Sequence, residues 1–273
     1  MQITFIDKLK MRRLIYQQLS KLPSIKKALR IFINPIDAIR DIEFTYLVKH
    51  LISSSVYPKK ILDVSSPFIM SYVLSEQSTV IKTDINPAEK EMIKESASLS
   101  FRLEDATNLS FADNTFDLVY SISVIEHIYQ NYIHAVQEMI RVVRPGGLLY
   151  LTFPVAGQHA EEWLDHKIYP EQYVKDGKAF FQYRFDKDDL DRLLAKLEDV
   201  KLIDLSIYWE KADGGYDRVI DKLNNKPFLE CMTTVRNGFV NFCSSINLME
   251  SKPNNFSQTK SFGNASLLLV KTT

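Results

Sequence analysis

Cysteine is nearly absent. Cys231 and Cys243 are the only two in 273 residues, distant from each other and from any histidine, so neither a disulfide framework nor a zinc site is expected. Such a chain suits a reducing cytoplasm, which is the expected location. Neither sign of charge is in excess: 34 Lys and Arg balance 34 Asp and Glu, for a formal net charge of zero. No long-range field is therefore available to gather nucleic acid, which is excluded as an expected partner. No apolar run approaches the roughly 20 residues that span a bilayer, and the first residues lack the basic, apolar, small-residue order of a signal peptide. Glycine is scarce as well, eight in all, and none falls between Asp63 and Ser75. That gap removes the glycine turn by which a dinucleotide fold brings its backbone against a pyrophosphate, and it argues against a nicotinamide enzyme. No internal repeat is apparent.

What is present is enough apolar residue, 45%, to build a full core. Residues 1–58 read as a helical extension. Asn34-Pro35 is a helix start with proline at the first helical position and Asp37 in the first turn, and Ile36, Ile39, Leu47 and Leu51 supply a face to bury. Ahead of it, Lys8, Lys10, Arg12, Arg13, Lys21, Lys26, Lys27 and Arg30 face a single acid, Asp7. With Ile3, Phe5, Ile6, Leu9, Leu14 and Ile15 among them, this arm is either an amphipathic helix for a membrane or partner surface, or a packing helix with solvated lysines.

From Lys60 onward, short apolar runs alternate with helical stretches, the pattern of an α/β fold with parallel strands covered on both faces. Strands are expected near Lys60 to Val64, Thr79 to Thr83, Ser100 to Leu103, Phe116 to Ser121 and Gly147 to Phe153, with the last two at Val200 to Trp209 and Ala265 to Lys271. Helices are expected at Phe68 to Ser75, Pro87 to Ser96, Tyr132 to Val143 and Asp186 to Leu197. The third of these is stopped by Pro145 before Gly146-Gly147. Residues 59–273 then form one domain with two additions: an aromatic cap at about 155–183, too long for a simple connection, and an insertion at about 211–262. That insertion holds an apolar helix candidate, Pro227 to Leu248.

Ligands of open α/β sheets bind beyond the carboxyl ends of the strands. Asp63 ends the first strand. Asp84 ends the second about 20 residues on, the spacing at which a carboxylate can take both hydroxyls of a ribose. Its competing role, capping the helix after it, falls instead to Asn86. Ser65 and Ser66 are small enough for a ligand to approach closely and offer hydroxyls, although Pro67 lacks an amide donor.

The ordered set of Asp84-Ile-Asn86, the run from Leu109 to Ile128 with its Asp117 strand and Glu126-His127, and Arg144-Pro-Gly-Gly147 before an apolar strand resembles the class I S-adenosylmethionine-dependent methyltransferases, specifically the methyltransferase domain 11 family. The resemblance spans roughly residues 58–155. It implies a Rossmann-like seven-stranded sheet with helices on both faces and S-adenosylmethionine as cofactor. It further implies Ile85 against the adenine, Asp105 and Ala106 at the adenine amino group, and Ser121 near the methionine part. Loss of the glycines matters less for this cofactor, which has no pyrophosphate. The expected activity is methyl transfer to a small-molecule, sugar or lipid-linked acceptor; the alternative is a catalytically silent, methyltransferase-like binding or scaffold protein. If the acceptor is a hydroxyl, His127 is the base expected by sequence. Its other role would be to hold its loop through backbone hydrogen bonds. Glu126 is read as orienting that loop. His159, His166, Tyr169, Tyr173 and Tyr183 in the cap could touch substrate or simply pack, while Trp163 and Trp209 are expected to pack.

Overall fold

The computed structural model describes residues 1–54, 57–169, 171–224 and 230–273, and only the backbone of 223, 224 and 230–232. Three helices come first: α1 (Phe5–Gln17), α2 (Ile25–Ile33) and α3 (Ala38–Ser53). Thr4 and Asp7 form a reciprocal capping box at the start of α1, which satisfies two amides the helix leaves unpaired. The start of α3 differs from the expected Asn34-Pro35. Asn34 ends α2, and Asp37 is itself the cap of α3, its carboxylate taking the amides of Ile39 and Arg40 at 2.9 Å.

The sheet domain follows as β1 (Lys60–Val64), α4 (Ile69–Leu74), β2 (Thr79–Asp84), β3 (Leu99–Leu103), β4 (Phe116–Ile122), α5 (Tyr132–Val142) and β5 (Val143–Val155). The helix expected from Pro87 to Ser96 is only a 3-10 turn, Pro87–Met92. Ile93 turns extended there and drops into the core. Asn86 caps the turn as expected, its side chain accepting from the Ala88 amide. β5 begins four residues before the expected Gly147, because Val143 already pairs with Phe116. Gly146 then takes φ +73, and a Cβ on Gly147 would lie 3.0 Å from the Asp117 carbonyl, so the proline-glycine-glycine run makes a kink within the strand.

β6 (Ala160–Leu164), β7 (Val174–Lys175) and β8 (Lys178–Arg184) form a separate three-stranded sheet in the segment read as a cap. After it come α6 (Lys187–Ala195), β9 (Val200–Trp209), α7 (Gly215–Asn224), α8 (Glu230–Asn247) and β10 (Gly263–Lys271). Of the helix expected from Pro227, residues 227–229 lie outside the described residues. The main sheet has the order β3-β2-β1-β4-β5-β10-β9, parallel except for β10, which runs antiparallel to both neighbours. Alternation along β4 feeds two cores. Leu118, Tyr120 and Ile122 join the cluster under α1, α3 and α4, and Val119 joins the one under α5 and α6. Strand order reverses between β1 and β4, which opens a crevice at their carboxyl ends. Among the described residues no helix is long and apolar enough to cross a membrane.

Candidate functional site

Asp63 ends β1 wholly buried. One carboxylate oxygen accepts the Ser66 amide at 2.9 Å and the other accepts Tyr120 Oη at 2.8 Å and the Ser71 hydroxyl. Lys82, also fully buried, places Nζ 3.7 Å from Asp63 Oδ1 and 3.8 Å from Asp84 Oδ2. Asp63 therefore braces the bend that follows it. In that bend Ser65 has φ 54 and its amide donates to the Thr83 carbonyl at 2.9 Å. Ser66 accepts the Ile122 amide at 3.0 Å. The bend thus holds at Ser65 the left-handed conformation that glycine adopts freely.

That conformation costs a non-glycine residue about 1–2 kcal/mol, and glycine loses about 0.5–1 kcal/mol of unfolded-state entropy in exchange. Ser65→Gly is accordingly expected to stabilise the fold by about 0.5–1 kcal/mol. Urea denaturation checks this, and an unchanged or lower midpoint contradicts it.

At the end of β2, Asp84 uses Oδ1 to accept the Asn86 amide at 2.9 Å. Burial raises its carboxyl above the ordinary range, against the pull of the Asn86 amide and Lys82. Ile85 beside it is 44% exposed, an apolar side chain displayed at a strand end. The Asp84 carbonyl accepts the Glu104 amide, which sets the end of β3 alongside. There Asp105 Oδ1 binds the Thr107 amide and hydroxyl, each at 2.8 Å, in a closed polar turn. Ala106 is half-buried. Ser121 is buried in β4 and donates to the Val64 carbonyl at 3.1 Å, so its hydroxyl ties two strands together.

Two residues beyond, Ser123 adopts φ 50 and meets a charged pair from α3. Glu43, fully buried, accepts Ser123 Oγ and Thr152 Oγ1 at 2.7 Å and Asn264 Nδ2 at 2.9 Å on one oxygen, and Arg40 at 2.7 Å on the other. Such a pair is tolerable in the interior because every oxygen has a partner. Next along the chain, the 3-10 turn Ile125–His127 buries Glu126. Burial pushes its carboxyl up to about 8, and its Oε2 has no hydrogen-bond partner among the described residues. His127 Nδ1 lies 2.6 Å from the Phe181 carbonyl, an acceptor only, so Nδ1 carries the proton and Nε2 keeps a lone pair. Burial lowers the His127 pKa below its ordinary value and keeps the ring neutral. The ring is tied to backbone through Nδ1, while Nε2 lies 4.0 Å from Glu126 Oε1 on the cavity side.

A cavity of about 230 Å³ opens here. Arg40, Ser123, Glu126, His127, Asn241 and Asn264 form its polar side, and Tyr169, Phe181, Tyr216 and Phe262 its aromatic side. Of the residues singled out by sequence, Glu126, His127 and Tyr169 line it, whereas Asp84, Ile85, Asp105 and Ala106 stand at the neighbouring strand ends. Tyr169 links the two regions. It is 44% exposed at the cavity rim, and the burial of its remainder raises its phenol. Other cap residues pack: Trp163 and Tyr183 sit against Tyr129 and Phe180, and His159 pairs with Asp189 at 2.6 Å. Sequence reasoning missed Arg40 and Glu43, one turn apart on α3, and Ser123 some 80 residues further on, which together carry no motif.

Residues 65–151 match the methyltransferase domain family. That stretch is a methyltransferase domain of the class I, S-adenosylmethionine-dependent kind. The chain is 31% identical over 84 residues to 2-methyl-6-phytyl-1,4-hydroquinone methyltransferase of Synechocystis sp., a stretch covering 31% of this chain and 24% of that protein. It is 37% identical over 65 residues to phthiotriol/phenolphthiotriol dimycocerosates methyltransferase 1 of Mycobacterium ulcerans, covering 24% of each. The chain thus matches about a quarter of the length of these relatives. In fold it is similar to coclaurine N-methyltransferase bound to N-methylheliamine and SAH, with a TM-score of 0.54, 14% identity, and coverage of 99% of this chain and 89% of that one. The matched residues hold β2, β3, β4 and the first part of β5, and the cavity joins their carboxyl edge to side chains from α3, α7 and α8 outside them.

Proposed function

We propose that this chain transfers a methyl group from S-adenosylmethionine to a small-molecule, sugar or lipid-linked acceptor seated in the cavity. The observation that carries the reading is the neutral His127, clamped through Nδ1 with Nε2 beyond hydrogen-bond distance of Glu126 Oε1 at 4.0 Å, on a cavity beside the strand ends where the sequence motifs converge. The names of the relatives support the acceptor class, since a phytyl hydroquinone and a dimycocerosate are lipid-like small molecules.

The residues present fit the cofactor. The Ser65 bend has the left-handed backbone that glycine would supply, and Asp84 is a half-buried carboxylate whose Oδ2 lies 3.8 Å from Lys82 Nζ. Asp84 would take the ribose hydroxyls, Ile85 would cover the adenine, and Asp105 with the Ala106 amide would meet its amino edge. Asp63, Ser66 and Ser121 would act by fixing the backbone of that crevice, since their side chains are engaged within the protein. When bound, the cofactor supplies a methyl carbon activated by a sulfonium leaving group, so the chain's task is alignment and exclusion of water. Phe181 and Phe262 of the cavity lining exclude water, with Tyr169 at the rim. For a hydroxyl acceptor, His127 Nε2 takes the proton as the oxygen is methylated.

His127→Ala is expected to lower kcat by about 100-fold, the lower range of general-base effects, with S-adenosylhomocysteine affinity unchanged. Because the histidine pKa is lowered, the parent's rate falls only at pH below the ordinary histidine value of 6.5. A variant with unaltered kcat would leave His127 a loop anchor. The function itself is tested by incubating the chain with methyl-labelled S-adenosylmethionine and fractionated polar and lipid extracts. Label in an extract component is the expected result; cofactor binding with no transfer to any fraction would mark a silent binding protein.

A further inference from the structure

α8 is amphipathic in the wrong sense for a helix on the outside of a protein in water. Its buried residues include Asn241, Ser244 and Ser245, whereas Val235, Phe239, Phe242 and Ile246 are exposed, Phe239 at 70%. Spacings of four, three and four place those four on one stripe. The same holds on the two N-terminal helices. Phe5, Leu9 and Tyr16 form an exposed row on α1, and Ile25, Leu29 and Phe32 form one on α2, with Ile25 at 88%.

The three rows belong to one surface. The Tyr16 and Phe32 rings lie 5.8 Å apart, and the Arg12 guanidinium sits 5.4 Å above the Phe242 ring. Gly238 of α8 approaches α2 so closely that an added Cβ would be 2.2 Å from the Ile33 carbonyl. A groove of about 540 Å³ between α1 and α8 is lined by Leu9, Arg13, Tyr16 and Phe242. Exposed apolar area of this extent on a monomer marks a contact surface.

Charge identifies the occupant. Lys10, Arg13, Lys26 and Arg30 are exposed on α1 and α2, and none has an acidic partner among the described residues. Asp7, the one acid in these two helices, is already held by Lys49 at 2.7 Å. Large apolar side chains surrounded by unpaired bases suit an anionic bilayer surface, which solvates the first and attracts the second. A second copy of the chain suits it poorly, because symmetric pairing would set the same bases against one another.

We infer that the exposed stripes of α1, α2 and α8 form a membrane-docking face that binds anionic lipid bilayers. The buried side of α8 contributes Asn241 to the cavity lining, beside Tyr216 and Val219 of α7. Docking would therefore bring the helical wall of the cavity to the membrane, from which an amphiphilic acceptor could present its head group. That last step rests on the methyl-transfer reading; the docking does not.

The test is sedimentation of the full chain with vesicles of phosphatidylcholine containing roughly a third phosphatidylglycerol, and with phosphatidylcholine alone. Binding to the anionic vesicles is expected to be at least about tenfold tighter and to weaken with salt. L29S/F239S should abolish it and K26E/R30E should remove the preference for anionic lipid, each with unchanged circular dichroism. Failure of the parent to sediment, or sedimentation of L29S/F239S like the parent, overturns the inference. So does a parent dimer that L29S/F239S dissociates, which would assign the face to a second copy. Calorimetry with S-adenosylhomocysteine on the same samples separates the two readings: vesicle binding without nucleoside binding removes the methyl-transfer reading and leaves docking standing, and the reverse pattern removes docking alone.

Discussion

Asp84→Ala is expected to weaken S-adenosylhomocysteine binding by at least about 100-fold in calorimetry. A charged acceptor contributes about 1.5–3 kcal/mol for each hydrogen bond it receives, so two ribose hydroxyls place about 3–6 kcal/mol on this carboxylate. The geometry supports concentrating that loss at one residue. Asp84 Oδ1 accepts the Asn86 amide at 2.9 Å, while Oδ2 lies 3.8 Å from Lys82 Nζ, beyond hydrogen-bond distance. Lys82 keeps the Asp63 carboxylate at 3.7 Å when Asp84 is removed, so the variant should fold. Asp84→Asn, which keeps one oxygen but loses the charge, should fall between parent and alanine variant. Equal affinity of parent and Asp84→Ala would take this residue out of the site.

Glu126→Gln is expected to be more stable than the parent at pH 9, with the advantage disappearing near pH 4. The physical cause is the buried carboxyl. Burial raises it from its ordinary value of 4.5 to about 8 in the folded protein, so the folded state holds its proton more tightly than the unfolded chain does. A group raised in this way contributes its full stabilisation below pH 4.5 and loses it as pH rises through about 8. The difference corresponds to about 4–5 kcal/mol at 1.36 kcal/mol for each tenfold change in proton affinity. Glutamine has the shape without the titration. Comparing denaturation free energies of the two proteins across that range checks the sign as well as the size. A gap between them that stays constant with pH would show that Glu126 is ionised in the fold throughout.

The strands and the acidic end of β2 were legible in the sequence because both depend on local pattern. Apolar runs such as Ile61 to Val64 and Leu118 to Ile122 have the length and residue types of buried strands, and Asn86 followed by Pro87 announces a cap. Boundaries were less legible where tertiary pairing overrides propensity. Val143 joins β5 because Phe116 waits beside it, and the turn after Pro87 stops at Met92 because Ile93 is drawn into the core. At the site, the sequence pointed to Asp84 and His127 through spacing and residue chemistry. It gave no sign of Glu43 meeting Ser123, Thr152 and Asn264, since four residues from four distant segments share no period. Nor did it mark Ser65 and Ser123 as left-handed, because the usual signal for that backbone is glycine and neither position has one. The exposed side of α8 was hidden for a similar reason: an apolar stripe reads as core until the fold shows which way it faces.

If the Ser65 bend, Asp84 and the cavity beside His127 form one methyl-transfer site, a crystal structure with S-adenosylhomocysteine will show the ribose on Asp84, the adenine along Ile85 and the sulfur turned toward the cavity bordered by Ser123 and His127. Failure of the nucleoside to enter because the stretch from Ser65 to Phe68 fills that crevice, or its binding at a different edge of the sheet, would contradict it.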